Sequence, residues 1–122
     1  MKAIGYKVPG PIAADAALGV LNEVQPGSYV FMDAQYRDAL GDDTDGRFTH
    51  SLFVQARVVH DKEPTHFTID AGLKAFSTDG PLPRPQGPGF EDSPYFYYGD
   101  EHGGIVRSAA NPAVELDTRI EL

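Results

Sequence analysis

Two clusters of residues in this chain have the types and spacing for chemistry. The first is Asp70-Ala71-Gly72-Leu73-Lys74-Ala75-Phe76-Ser77-Thr78-Asp79. The second is Gly99-Asp100-Glu101-His102-Gly103. Each sets carboxylates beside a base or an ammonium, and each follows β-forming residues. Loops at strand ends are favoured places for binding and proton transfer. In the second cluster Asp100 or Glu101 could orient the His102 imidazole for proton transfer. The same residues also suit a tight turn in which Asp100 caps backbone N–H groups and the glycines bend the chain. In the first cluster Lys74 could in principle be a Schiff-base lysine. The acids at 70 and 79 favour a paired cation instead, with Asp70 as a local partner. Gly72 would let the strand break there. Ser77, Thr78 and Asp79 are cap and turn residues.

The elements that must position these clusters are short strands. Leu52–His60 alternates, with Phe53, Gln55, Arg57 and Val59 on one face and Leu52, Val54, Ala56, Val58 and His60 on the other. Lys62-Glu63-Pro64 makes a turn, and 66–70 returns as the antiparallel partner of a hairpin. Tyr95–Tyr98 is an aromatic strand leading into the second cluster, with 104–107 behind it. The end of the chain, 114–122, alternates Leu116, Thr118, Ile120 and Leu122 with charges. Upstream, 20–24 suggests a strand of mixed exposure. Residues 28–33 read as a strand buried on both faces. Residues 37–47 read as an acidic loop, a solvated turn rather than a calcium loop. Four prolines make 80–89 an extended surface loop. The expected fold is mainly β, a small β-barrel or sandwich of about seven short strands. Residues 1–17 read as a linker or lead-in.

Composition narrows the function. At 122 residues there is room for one domain. The formal charge of -8 argues against nucleic acid, because phosphate neutralisation needs a basic face. With no cysteine, disulfides and zinc-thiolate sites are excluded, which fits a cytoplasmic location. No signal peptide or membrane span is read. The histidines His50, His60, His66 and His102 show no metal-ligand spacing. His60 and His66 flank the hairpin turn as surface residues that could pair across it.

Three of these segments carry a resemblance. Gln25-Pro-Gly-Ser-Tyr-Val-Phe-Met-Asp33 with Tyr36, then 70–79, then Asp100-Glu-His-Gly103, resembles the C-terminal domain of the D-serine dehydratase/D-threonine aldolase family. The likeness covers 18–122 in the same order. It implies a barrel like the C-terminal domain of alanine racemase, attached in complete enzymes to an N-terminal (β/α)8 barrel. It also implies a lyase that uses pyridoxal phosphate and a divalent metal such as zinc. The cofactor lysine and the His-x-Cys/Asp metal motif of the family are not matched in this chain, so no cofactor, metal or catalytic residue is expected within it. The resemblance assigns Tyr29, Asp33, Tyr36, Asp70, Lys74, Ser77 and Asp79 to a substrate pocket or interface. It makes Asp100, Glu101 and His102 accessory candidates. The implied partners are the N-terminal barrel and a second copy of the chain. The implied state of this chain alone is inactive. A reading from a different class is a stand-alone β-barrel module binding a peptide or small ligand through 81–89 and 95–98.

Overall fold

A computed structural model describes residues 17–20, 23, 31–40 and 49–122. The chain divides into two compact units, 1–52 and 53–122. In the first, the described elements centre on one helix, α1 (Ala34–Leu40). Asp33 begins it, its carbonyl accepting the Arg37 N–H at 3.0 Å. This corrects two expectations. Phe31–Asp33 do not continue a buried strand, and Arg37–Leu40 are not loop. Asp at a helix start, followed by a run containing two Ala, Gln, Arg and Leu, outweighs the apolar signal before it. The acidic stretch 42–46 and most of the expected strands at 20–24 and 28–33 lie outside the described residues. So does Tyr29.

The second unit is a five-stranded antiparallel sheet. Its strands are β1 (Gln55–His60), β2 (His66–Ile69), β3 (Tyr95–Tyr97), β4 (Gly103–Val106) and β5 (Arg119–Glu121). Their order is β3-β4-β2-β1-β5, so β2 is central and the sheet is open. The described residues thus form five strands. Closure into a barrel, and the further strands of the expectation, are not among what they form. A 3₁₀ turn, Leu73–Ala75, follows β2. Among the described residues, no helix is long and apolar enough to cross a membrane.

The core takes up one of the two faces that alternation separates along β1. Ala56, Val58, Phe67, Ile69, Ile105 and Ile120 are buried on one face, with Tyr95 and Phe90 packed among them. His60 departs from the pattern. The β1–β2 register shifts between Val58 and His60, and the bulge leaves His60 exposed. It also sets His60 opposite Thr68, so the expected His60–His66 pair does not form across the turn.

The last strand is shorter than its pattern. Asp117 sits at φ 65, and the Glu115–Thr118 turn closes on itself through two hydrogen bonds. Asp tolerates that left-handed conformation. The break leaves Leu116 exposed while Ile120 is buried.

The proline-rich loop has one evident structural task. Gln86, between prolines, donates its N–H to the Glu121 carbonyl at 2.8 Å and so covers the β5 edge. Asn111 holds the far side of this loop. Its Nδ2 donates to the Gly89 carbonyl and to Ser93 Oγ, each at 2.7 Å. Gly89 is itself required there, with φ +86 and the Ala110 carbonyl against the place of a Cβ.

Candidate functional site

The two clusters singled out by residue type meet in space. Leu73 N–H donates to the Gly99 carbonyl and Lys74 N–H to the Asp100 carbonyl, each at 3.0 Å. The approach depends on Gly72. A Cβ there would meet the Gly99 carbonyl oxygen, His102 N at 2.5 Å and the Asp100 carbonyl oxygen at 2.7 Å. All three are backbone atoms, which cannot swing aside. Beneath the contact, the buried Tyr95 hydroxyl donates to the Ala71 carbonyl at 2.9 Å. Gly103 leaves room for this, since a Cβ on it would strike the Tyr95 ring.

Lys74 is a paired cation, but with distant partners rather than Asp70. Its Nζ lies 2.5 Å from Glu101 Oε1 and 3.9 Å from Asp100 Oδ2. Hydrogen bonding from Lys74, its charge, and the charge of His102 hold the Glu101 carboxyl below the usual carboxylate range. The carboxylates of the second cluster are therefore engaged with a lysine, while His102 is exposed beside them. Asp70 is used elsewhere. Its carboxylate accepts the Arg57 N–H at 2.6 Å, and its own N–H donates to the Arg57 carbonyl at 3.0 Å. It secures the backbone beside the β1 bulge. Ser77 donates to Asp79 in an exposed turn. Tyr36 lies in α1 and Asp33 directly before it, in the other unit.

Two predictions concern this site. The Glu101–Lys74 pair contributes above the carboxylate's ordinary pKa and is lost as pH falls through the lowered one. Lys74→Met should raise the Glu101 titration midpoint, seen by NMR, while the melting temperature barely moves, because both partners are solvated. Tyr95 gives a larger alkaline effect. Burial first, and Tyr97 second, push its hydroxyl up to about 12 from 10.0. The neutral form is favoured by the fold. Its contribution is whole below the ordinary value and disappears as pH rises toward the folded one. The loss should reach roughly 2–3 kcal/mol. Urea unfolding at about pH 9 and about pH 11.5 should show it, and Tyr95→Phe should flatten the dependence.

Among the described residues no group of three His, Cys, Asp or Glu could hold a metal ion. The described lysines are both ion-paired, Lys74 as above and Lys62 with Asp61 at 3.1 Å.

Residue types alone did not reveal Arg107. Its Nε donates to the Glu63 carbonyl at 2.9 Å and its Nη2 to the Asp61 carbonyl at 2.5 Å. It thereby braces the hairpin turn from 46 residues away in sequence. A lone arginine after a short strand carries no spacing signal. A groove on the same unit also went unread. Val59, His60, Glu63, His66, Thr68, Tyr98 and His102 line it.

Fold and loop pair together define a small antiparallel β-domain with a charged contact at one end. Residues 51–122 match the family model described as "Putative serine dehydratase domain", and the chain belongs to that family. A 3-hydroxy-D-aspartate aldolase of Paracoccus denitrificans is 43% identical over 91 residues, which cover 71% of this chain and 23% of that protein. A D-threonine aldolase of an Arthrobacter species is 40% identical over 116 residues, 93% of this chain and 29% of that protein. The crystal structure of D-threonine aldolase from Filomicrobium marinum matches with a TM-score of 0.76 at 35% identity, covering 98% of this chain and 31% of that one. The chain thus spans between 23% and 31% of the length of these relatives.

Proposed function

We propose that this chain, over 18–122, is the C-terminal β-domain of a D-amino-acid lyase acting on 3-hydroxy amino acids. In this reading it shapes the substrate pocket, contributes to a dimer interface and is inactive by itself. One observation carries the reading: nearly all of this chain, 98%, aligns with 31% of a D-threonine aldolase. The family and the names of the other relatives point the same way.

The complete enzyme would use pyridoxal phosphate to stabilise charge at the substrate Cα, with a divalent metal beside it. Because the described residues do not fit either group, both are assigned to the rest of the enzyme, centred on an N-terminal (β/α)8 barrel. The part given to this chain is positional. Gly72 lets the 70–75 segment dock on the 99–102 turn. Lys74 and Glu101 neutralise each other across that contact. His102 stands exposed at its edge, where a substrate or the neighbouring barrel would meet it. Tyr29, Asp33, Tyr36, Ser77 and Asp79 remain assigned to the pocket or interface.

A chimera tests this. Residues 18–122 replace the matching segment of the Filomicrobium marinum enzyme, with the rest of that protein retained. Turnover of D-threonine to glycine and acetaldehyde is expected, with none from the isolated chain supplied with pyridoxal phosphate. A folded chimera that holds the cofactor but turns nothing over would overturn the reading.

The stand-alone binding reading draws on a cleft of about 540 Å³ between 81–85 and 90–95. Proline and aromatic walls are the lining that extended proline-rich peptides recognise. A saturable interaction of such a peptide with the isolated chain, together with an inert chimera, would favour it.

A further inference from the structure

We propose that the groove lined by His60, His66 and His102 is a binding site for a compact oxyanion, a carboxylate or a phosphate, carried on a small molecule. This does not rest on the lyase reading. Three of the chain's four histidines line one groove, two from the ends of the β1–β2 hairpin and one from the β3–β4 turn. His60 comes from the end of β1, His66 from the start of β2 and His102 from the β3–β4 turn. The groove holds about 680 Å³, and sites for small molecules span roughly 300–1,000 Å³.

The lining selects for an anion. Imidazole donates hydrogen bonds when neutral and adds charge when protonated. Thr68 and Tyr98 add hydroxyl groups that can donate. Glu63 is the one carboxylate in the lining, and it lies 3.8 Å from His60 Nε2. Glu101, next to His102, is held by Lys74. Both of these carboxylates therefore have a partner. The net charge of -8 opposes anions at long range. Salt screens that field beyond about 8 Å at physiological ionic strength, so the groups lining the groove decide.

The groove also has a stiff wall. His66 Nδ1 pairs with Thr65 Oγ1 at 3.0 Å. Its ring contacts Phe96 edge-on at 5.4 Å and Tyr98 at 5.9 Å. These contacts restrict the imidazole before any ligand arrives, which lowers the entropy lost on binding. Tyr98 and Val59 are 64% and 44% exposed, and they offer apolar area for the body of the ligand.

The experiment follows the imidazole NMR signals of the full chain. Sodium phosphate and D-threonine are separate titrants at one fixed pH. Saturable shifts at His66 and His102 are expected. Saturation by phosphate alone identifies a phosphate site, and by D-threonine alone a carboxylate site; either supports the proposal. His66→Gln with His102→Gln should weaken binding by about tenfold, the scale of one or two charge-assisted hydrogen bonds. His50→Gln, outside the groove lining, should leave it unchanged. His102→Gln alone, at an exposed position, serves if the double variant does not fold. No saturation by either titrant at tens of millimolar, or unchanged affinity in the histidine variants, overturns the proposal.

Discussion

Gly72→Ala should destabilise the chain by about 3 kcal/mol and lower its melting temperature by roughly 10 °C. The added methyl has nowhere to go. The Gly99 and Asp100 carbonyl oxygens and the His102 nitrogen surround the position, all inside 3 Å. These are the atoms of the turn on which 70–75 docks. To admit the methyl, that segment must back away from the turn. The Leu73 and Lys74 hydrogen bonds to it, each 3.0 Å, then stretch. A typical hydrogen bond contributes about 1 kcal/mol net, and overpacking adds about 1–3. Ala71 is next in the chain, so the Tyr95 hydroxyl bond to its carbonyl is disturbed as well. Hydrogen exchange gives the local signature: the amides of Leu73 and Lys74 should lose protection more than those of β2. Gly80→Ala is the control, because nothing lies within 4 Å of its added Cβ. That variant should be neutral or slightly stabilising. A Gly72→Ala chain that melts with the parent and keeps both amides protected would mean the loops do not dock as described.

The docking also marks the boundary of what residue types can reveal. Both clusters were visible as sequence because glycine, lysine, carboxylate and histidine rarely gather by accident at two strand ends. Their contact was not, because it is made by backbone atoms of Leu73 and Gly99 and of Lys74 and Asp100, far apart in sequence, which leave no trace in side-chain type. Lys74 illustrates this. Local spacing favoured Asp70, four residues back. The bulge instead takes Asp70 to the Arg57 backbone, and Lys74 turns to Glu101. Alternation grouped Ala56 and Val58 on one face correctly, and that face loses its burial at Leu52 and at His60, the latter just past the register shift. It failed at Leu116 for a related reason: the left-handed Asp117 resets the faces before Ile120. Helix α1 was missed because the apolar run before it dominated the pattern, although Asp33 and Ala34 carried a start signal. The histidine groove depends on two turns coming together, the β1–β2 hairpin and the β3–β4 turn, a property of topology rather than of any window of sequence.

Phe67→Ala should cost about 3–5 kcal/mol, the range for a fully buried aromatic. Phe67 is 0% exposed and lies in the middle strand of the sheet, opposite Ile105. Phe90 meets its ring edge-on at 6.3 Å, and the Arg107 guanidinium sits 5.5 Å from its centroid. Removing the ring empties the space between the sheet and the loop that carries Phe90. It also removes the surface on which Arg107 rests while bracing the Asp61 and Glu63 carbonyls. Domains of this size are stable by only about 5–15 kcal/mol, so this single change removes a large share of the total. Phe67→Leu retains most of the volume and should cost less than half as much. Arg107→Met separates the packing loss from the loss of the brace. A double-mutant cycle with Phe67→Leu should give a coupling of about 0.5–1 kcal/mol from the cation over the ring. Urea unfolding measures each term. A Phe67→Ala loss below about 1 kcal/mol would place the core elsewhere, because burial of this extent cannot be removed so cheaply from a close-packed interior. A full loss with zero coupling would retain the core and reassign Arg107 to the hairpin carbonyls alone, whose two hydrogen bonds hold the turn beside His60 and Glu63 at the mouth of the groove.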